Sequence, residues 1–225
     1  MRNPWVKTPL VPPYVLDEDE QVIFGINEWY SGKDQVIQTQ LLPEPYIGNP
    51  KAPIIVLTKN PGFDKDSDPY WHTRIDFQKL MRVNLSQEDS DYPFVYFNSA
   101  LSDSPGTKWH KKSLNRLIRS SSVEEVANKV CSIPYFPYHT ASFSSIPKGI
   151  TREILPSQSY TQYLVQQAIN RGAIIVITLF EKKWKELVED LRTYPKAYSL
   201  KSQNTMISKG NMEIGEFSEI LSVLS

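Results

Sequence analysis

Two long apolar runs dominate the hydrophobic pattern of the chain. Residues 54–57 read Ile-Ile-Val-Leu, and residues 173–179 read Ala-Ile-Ile-Val-Ile-Thr-Leu. Runs of this kind are typical of strands buried on both faces, as in a parallel sheet. Residues 130–136 predict a third strand, and residues 197–200 and 204–207 predict short extended segments.

Helical periodicity separates the predicted strands. Residues 73–85, for example, place apolar side chains at Ile75, Phe77, Leu80 and Met81. Helices are predicted at 73–85, 109–120, 123–129, 157–170, 181–191 and 214–224, with a short helix at 22–30. Strands that alternate with helices imply right-handed crossovers. The pattern therefore predicts a three-layer α/β/α sandwich with a central, mainly parallel sheet of about four strands.

Proline-rich and polar segments predict the loops. Residues 1–20 hold four prolines and an acidic run, which favours an extended arm, and three prolines bar a helix within residues 41–50. The Asp-rich segment after Phe63 is expected to be a loop. Residues 86–106 predict a long excursion, and such loops are usually functional or disordered. We expect residues 1–40 to form an arm and short helix on a main domain of residues 41–225.

Composition limits the classes of function. The chain has 225 residues, 40% of them hydrophobic, which suits one α/β domain. Lys plus Arg and Asp plus Glu both number 25, so the formal net charge is zero and nucleic-acid binding needs a local basic patch. The single cysteine, Cys131, excludes an internal disulfide and a multi-cysteine zinc site. Because it lies in an apolar run, we expect a buried thiol.

Targeting and metal-binding patterns are absent from the sequence. Residues 1–20 lack the apolar core of a signal peptide, and no run approaches the roughly 20 apolar residues of a membrane span. A cytoplasmic protein with no membrane association, expected to be a monomer, is predicted. The histidines His72, His110 and His139 lie in separate segments without metal-ligand spacing, so neither a metal nor a cofactor is expected.

The first predicted strand ends abruptly in Asn60-Pro61-Gly62. In open α/β sheets, ligands bind just beyond the carboxyl ends of strands, which makes this turn a candidate site. A strand that merely ends in a tight turn is the structural alternative. The chain contains no glycine-rich phosphate loop, no dinucleotide fingerprint and no nucleophile elbow.

The segment VLTKNPGF resembles the first active-site motif of the uracil-DNA glycosylase superfamily. In that superfamily a buried strand ends in Gly-Gln-Asp-Pro-Tyr or, in the mismatch-specific branch, in Gly-Ile-Asn-Pro-Gly. The chain is also similar to uncharacterised glycosylase-like proteins at residues 42–50, at Tyr138-His139 and at residues 204–211. The resemblance covers roughly residues 41–224. It implies an α/β/α sandwich that hydrolyses the N-glycosidic bond of a uracil-like or damaged base in DNA.

The resemblance and the chemistry together suggest roles for the first motif. Asn60 would position the attacking water, because the oxocarbenium-like state needs water to be placed more than deprotonated. Pro61 fixes the backbone, and Gly62 lets a flipped base approach it. Lys59 would contact the substrate. Phe63 would stack on the base, with core packing as its alternative.

The chain departs from the family at two later motifs. The family's late motif supplies a histidine that stabilises the departing base, and residues 204–211 contain none. Losing one such donor typically costs about 3–4 kcal/mol of barrier. Ser208, Lys209 and Asn211 are the candidates to replace it in part, and Lys209 is the only charged one. Asn204, in the same loop, is expected to contact the base or phosphate. The family's base-reading asparagine is also missing, so Tyr138 or His139 would contact the substrate there, and a structural role is the alternative for His139.

A basic segment follows the predicted long loop. Residues 108–119 carry Lys108, Lys111, Lys112, Arg116 and Arg119, with Trp109 interleaved. We predict that Lys111 and Lys112 contact phosphates, against the alternative of a solvated helix surface. Two other functions stay open: a non-catalytic binder of nucleic acid or nucleotides, and an enzyme that processes small nucleosides. Zero net charge favours both over a DNA-binding enzyme.

Overall fold

The computed structural model describes residues 1–143, 146–147, 150 and 154–225. Its sheet contains four strands, β1 (Ile54–Thr58), β2 (Val130–Pro134), β3 (Ile174–Ile177) and β4 (Ala197–Ser199), in the spatial order β2-β1-β3-β4. Every neighbouring pair is parallel, and Ile55 of β1 lies between Cys131 of β2 and Ile175 of β3. The predicted parallel sheet is confirmed, and the two long apolar runs form its centre.

Nine α-helices lie within the described residues. They are α1 (Glu20–Trp29), α2 (Asp68–Thr73), α3 (Ile75–Ser86), α4 (Pro105–Ser113), α5 (Asn115–Ser120), α6 (Val123–Lys129), α7 (Gln158–Asn170), α8 (Glu181–Leu187) and α9 (Ile214–Leu224). Together with the sheet they form a three-layer α/β/α sandwich, as predicted. None of these helices has the length and apolarity that a membrane span requires.

Three local predictions were wrong. The Asp-rich segment contains α2, because Asp68 and Pro69 occupy its first turn, where both residue types favour a helix start. The helix predicted at 109–120 is divided into α4 and α5, since Leu114 leaves helical geometry at ψ 6°. The helix predicted at 181–191 ends at Leu187, and a 3₁₀ helix follows at Glu189–Arg192.

The segment 204–207 is not a strand, although its composition predicted an extended conformation. The Nδ2 atom of Asn211 donates to the carbonyl oxygens of Asn204 and Met206, at 2.6 and 3.0 Å. A side chain therefore takes the hydrogen bonds that a neighbouring strand would otherwise make. Within the described residues, the sheet ends at β4.

Hydrogen bonds from neighbouring segments anchor the chain that follows β1 at the carboxyl edge of the sheet. The carbonyl oxygen of Thr58 accepts hydrogen bonds from the Trp184 indole and the Tyr135 backbone, both at 3.0 Å. The next carbonyl, that of Lys59, accepts one from the backbone of Phe136 at 3.0 Å. The backbone is therefore ordered up to Asn60, where the candidate motif begins.

The N-terminal arm packs into the same hydrophobic core as the sheet. Trp5 is buried and meets Tyr138 edge to face, with ring centroids 5.9 Å apart. The Asp19 carboxylate accepts hydrogen bonds from the Tyr138 hydroxyl at 2.8 Å and from the Ser157 backbone at 3.0 Å. The boundary at residue 40 stays a prediction.

Candidate functional site

A cavity of about 410 Å³ opens at the carboxyl ends of β1 and β2. Three pieces of chain form its walls: residues 58–64, which follow β1; the buried irregular segment around Glu44 and Ile47; and α4. Asp68 of α2 and His139, in the chain after β2, also line it. The cavity thus lies where parallel α/β sheets place their ligands.

Asn60 lines this cavity with its orientation fixed by the backbone. Its Nδ2 atom donates to the carbonyl oxygens of Pro61 and Thr140, at 2.6 and 3.3 Å. Because carbonyl oxygens only accept, the amide nitrogen must face them and Oδ1 must face away. Among the described residues, none donates to Oδ1, so it remains an acceptor for a water or a ligand.

His139 holds the motif turn through both of its ring nitrogens. Nδ1 lies 2.7 Å from the carbonyl oxygen of Gly62, and Nε2 lies 3.1 Å from that of Leu42. Both oxygens only accept, so both bonds form only when each ring nitrogen carries a proton. Glu44 Oε1 lies 3.5 Å from Nε2, close enough to form an ion pair with a protonated ring. Neither nitrogen is free to contact a substrate, which favours the structural alternative.

Two buried carboxyl groups flank His139. Burial raises the pKa of Glu44, against the opposing effects of the His139 charge and a hydrogen bond donated by the Tyr96 hydroxyl. Burial likewise raises the pKa of Asp68, opposed by the bond from the Asp64 backbone and by His139. The Asp64 nitrogen donates to Asp68 Oδ2 at 2.7 Å. No described residue donates to Asp68 Oδ1, so this oxygen remains an acceptor in the cavity wall.

A second buried histidine supports this cluster in the neutral form. The backbone nitrogen of Leu42 donates to His72 Nδ1 at 2.9 Å, so that nitrogen carries no proton. The His72 ring meets the His139 ring edge to face, with centroids 5.0 Å apart. Burial, followed by the positive charge of His139, lowers the pKa of His72 well below its ordinary value. His72 and His139 together anchor the chain at Leu42.

The close contact between Gly106 and Tyr96 requires glycine. A Cβ atom at Gly106 would lie 2.2 Å from Cζ of Tyr96. The missing side chain lets the first turn of α4 lie on the tyrosine ring, whose hydroxyl in turn binds Glu44. The sequence analysis did not identify Glu44, Asp68 or Tyr96 as site residues. The one sequence feature that could have indicated the contact with Tyr96 is the Pro105-Gly106 pair at the start of a helix.

His110 lines the cavity from α4 and has no hydrogen-bond partner within the described residues. It is only 6% exposed, and burial lowers its pKa to about 3, so its imidazole is neutral. Sequence reasoning assigned it no role. The sequence feature that could have drawn attention to His110 is its position next to Trp109 within the basic segment.

Lys59 and Phe63 both line the cavity. Phe63 is half-buried and lies outside the hydrophobic core, which leaves its ring available to a ligand. The Lys59 ammonium lies 5.2 Å from the centroid of the Phe180 ring, and burial lowers its pKa. Phe180 has a left-handed backbone with φ 61°, which is strained for an aromatic residue and common near functional sites.

Several predicted site residues lie outside the cavity lining. The Tyr138 hydroxyl donates to Asp19 and is buried under the N-terminal arm. Asn211 cross-links its own loop, since its Oδ1 accepts from Ser202 and its Nδ2 binds two carbonyls. Asn204, Ser208 and Lys209 do not line the cavity, which this loop reaches through Thr205.

The predicted phosphate-binding residues lie on the solvent face of α4. Lys111 and Lys112 are exposed and outside the cavity, on the same helix as the inward-facing His110. The exposed neighbours that share their charge are Lys108, Arg116 and Arg119. The described residues offer none of these five cations an ion-pair partner within 4.0 Å.

Two further candidate features are Cys131 and a metal site, and the described residues support a functional role for neither. Cys131 is fully buried in β2, and burial raises the pKa of its thiol. A search of the described residues finds no cluster of three His, Cys, Asp or Glu side chains arranged to hold a metal ion.

Comparison of the chain with models of known protein families, with curated proteins and with solved structures gives no match. The geometry of the cavity is therefore the basis for inferring a function.

Proposed function

We propose that the protein is an N-glycosidic hydrolase of the uracil-DNA-glycosylase-like kind, which releases a nucleobase from DNA. The observation that carries the proposal is Asn60, which follows a buried parallel strand and presents an unpartnered Oδ1 in the cavity wall. The amide acts by positioning water, which a reaction through an oxocarbenium-like state requires.

The size and lining of the cavity suit a nucleobase. About 410 Å³ falls within the range of small-molecule pockets. Phe63 and Trp109 line it with half-buried or partly exposed rings, and base–aromatic stacking is worth about 1–3 kcal/mol per base. Stacking on these rings can therefore offset part of the stacking energy that a flipped base loses when it leaves the duplex.

The carboxyl groups in the wall suit the transition state. Breaking the glycosidic bond leaves positive charge on the sugar, which negative charge in a water-poor site stabilises. Asp68 and Glu44 are buried there, and Asp68 Oδ1 has no donor among the described residues. In this proposal Asp68 stabilises the oxocarbenium-like sugar and accepts the proton that the attacking water loses.

The distribution of charge favours nucleic acid as the substrate. Carboxyl groups inside the cavity disfavour phosphate, whereas α4 and α5 carry exposed cations to which the described residues offer no ion pair. Such an arrangement keeps phosphates outside and admits an uncharged base. α4 contributes to both surfaces, through His110 inside and Lys111 and Lys112 outside.

A cleavage screen tests the proposal. Oligonucleotides carrying uracil, hypoxanthine, xanthine or mismatched bases are incubated with the protein and then treated with alkali, which reveals abasic sites. We expect abasic product for at least one base, lost in Asn60→Ala and retained in Asn128→Ala, an exposed change on α6. Tight oligonucleotide binding without product from any base would instead identify a non-catalytic binder. Release from free nucleosides alone would indicate a small-molecule enzyme.

A further inference from the structure

His110 is a buried polar side chain that faces the cavity and lacks a hydrogen-bond partner among the described residues. It is 6% exposed, lines the cavity, and neither ring nitrogen bonds to a described residue. Its nitrogens are not among the fully buried side-chain atoms that lack a partner, so the imidazole is open to the cavity and can reach a ligand there. A ligand that leaves the imidazole unpaired after excluding water would lose about 1–3 kcal/mol, whereas one that bonds to it would not.

Aromatic neighbours fix the plane of the His110 ring. Tyr96 stacks on it at 5.3 Å between centroids with 27° between planes. Phe94 and Trp109 meet it edge to face, at 4.9 and 4.7 Å. Contacts on several sides restrict ring rotation, so the direction of the nitrogens is set before a ligand arrives, which reduces the entropy cost of binding.

We propose that His110 determines which base the cavity accepts, through one hydrogen bond to the edge of an uncharged nucleobase. The identity of the ligand as a nucleobase rests on the proposed function. A neutral imidazole offers one N–H donor and one acceptor nitrogen, which match the polar edges of heterocyclic bases. A site built around a buried hydrogen bond rejects ligands that leave it unpaired, whereas stacking alone discriminates weakly.

The position of His110 on α4 places base recognition on the same helix as the cations predicted to contact the nucleic-acid backbone. Trp109, next in sequence, is 40% exposed and lies at the cavity lining. The exposed Lys111 and Lys112 follow His110 directly in the same helix. One rigid element thus carries a base-reading side chain, an aromatic surface and cations for phosphate.

The test compares His110→Phe, which keeps a flat ring, with His110→Gln, which keeps a donor and an acceptor. Asn115→Ala, an exposed change at the start of α5, is the control. Single-turnover release of uracil, hypoxanthine and xanthine is measured for each variant. We expect His110→Phe to lower kcat/KM for the preferred base about 10-fold and to reduce discrimination among bases. His110→Gln retains part of both, and Asn115→Ala matches the wild type.

A second readout separates this inference from the proposed function. The imidazole resonances of His110, assigned by their loss in His110→Phe, are followed by NMR while free uracil or hypoxanthine is added. Shifts in the wild type without base release from DNA would support the inference and overturn the hydrolase. Base release with unchanged discrimination in His110→Phe would overturn the inference and leave the hydrolase standing. No shift and no release would overturn both.

Discussion

The Nδ1 atom of His139 lies 2.7 Å from the carbonyl oxygen of Gly62, which joins the chain after β2 to the turn after β1. The opposite nitrogen of the ring binds Leu42, so one side chain connects three pieces of the cavity wall. A histidine that the sequence offered as a substrate contact therefore holds the site together. Its charge in turn makes the burial of Glu44 less costly.

Removing either partner of the His139–Glu44 pair should destabilise the protein. His139→Phe leaves the Glu44 carboxyl buried without its countercharge, and breaking a buried pair typically costs about 3–5 kcal/mol. The free energy of unfolding, measured by urea denaturation at pH 7, reports the loss. We expect the double variant His139→Phe/Glu44→Gln to lose less than the sum of its single variants. Strict additivity would show that the two groups are not energetically coupled.

Gly106→Ala should damage the site through Tyr96. The added methyl group would lie 2.2 Å from the tyrosine Cζ, so the ring must move and its bond to Glu44 must weaken. Overpacking of this kind costs about 1–3 kcal/mol, measured as the loss in free energy of unfolding. Gly215→Ala in α9 is the matched control, because a Cβ there meets nothing within 4 Å. Equal stability of the two variants would contradict the contact.

The fold was predictable from sequence because its central strands are buried on both faces. β1 and β3 are fully buried, so their apolar runs have little ambiguity. α2 was missed because Asp68 and Pro69 are common in turns as well as at helix starts. Local patterns do not separate these two uses. In the structure Asp68 accepts a hydrogen bond from the Asp64 backbone, a contact that no periodic pattern indicates.

The motif turn of the candidate site was predictable, and its supporting residues were not. Asn60 follows a recognisable strand, which places it at the edge of the sheet. Glu44 and Tyr96 are separated by 52 residues and meet only through tertiary packing. Neither lies in a periodic segment, so no sequence pattern indicates that they bond. His110 lies in a helix rich in cations, and this composition predicted an exposed phosphate-binding surface, not a residue that faces a cavity.

The buried neutral histidines should make the protein less stable below pH 6.5. Burial lowers the pKa of His110 to about 3, whereas the unfolded chain binds its proton near 6.5. Stability from this group is therefore fully present above pH 6.5 and is lost as the pH falls towards 3, by about 1.4 kcal/mol per unit. His72 acts in the same direction.

The difference between variants isolates this effect from the buried carboxyl groups. The raised pKa values of Glu44 and Asp68 act with the opposite sign, because the folded protein binds their protons more tightly than the unfolded chain. Urea denaturation between pH 6 and 4.5 should give His110→Phe a shallower pH dependence than the wild type, by about 1.4 kcal/mol per unit. Asn115→Ala should follow the wild type. Parallel curves for His110→Phe would show that His110 titrates normally in the folded state.

The cations of α4 should contribute to affinity for nucleic acid without regard to base sequence. Lys111→Ala/Lys112→Ala removes two exposed charges that lack ion pairs within the described chain. If both contact phosphates, binding weakens equally for all oligonucleotides, and the slope of log affinity against log salt falls by about one unit per contact. Fluorescence anisotropy across salt concentrations measures both quantities.

A matched pair on other helices controls for net charge. Lys79 on α3 and Lys182 on α8 are also exposed, and they lie away from α4 in sequence. Lys79→Ala/Lys182→Ala should leave the salt slope at the wild-type value. An equal change of the salt slope in both double variants would show that the α4 cations act only through the net charge. The outer face of α4 would then be an ordinary solvated surface.

Asn60→Ala should nearly abolish turnover while leaving substrate affinity largely intact. The change removes the Oδ1 acceptor, and a group that acts mainly in the transition state contributes to kcat more than to KM. A loss of about 10²-fold or more in single-turnover rate is expected, with an oligonucleotide Kd close to that of the wild type. The variant also loses the two hydrogen bonds that the Asn60 amide donates to backbone carbonyls, so its free energy of unfolding is measured alongside.

The dependence of the rate on the leaving base completes this test. Both nitrogens of His139 are engaged by carbonyl oxygens, so this ring does not donate to a departing base. Release should therefore favour bases that leave easily, and mismatched or unpaired bases, which cost least to flip. Asn60→Ala should lower the rate for every base by a similar factor, because water attack is common to all of them. An unchanged rate in Asn60→Ala would remove Asn60 from the mechanism, and a rate independent of the leaving base would show that bond cleavage is not limiting.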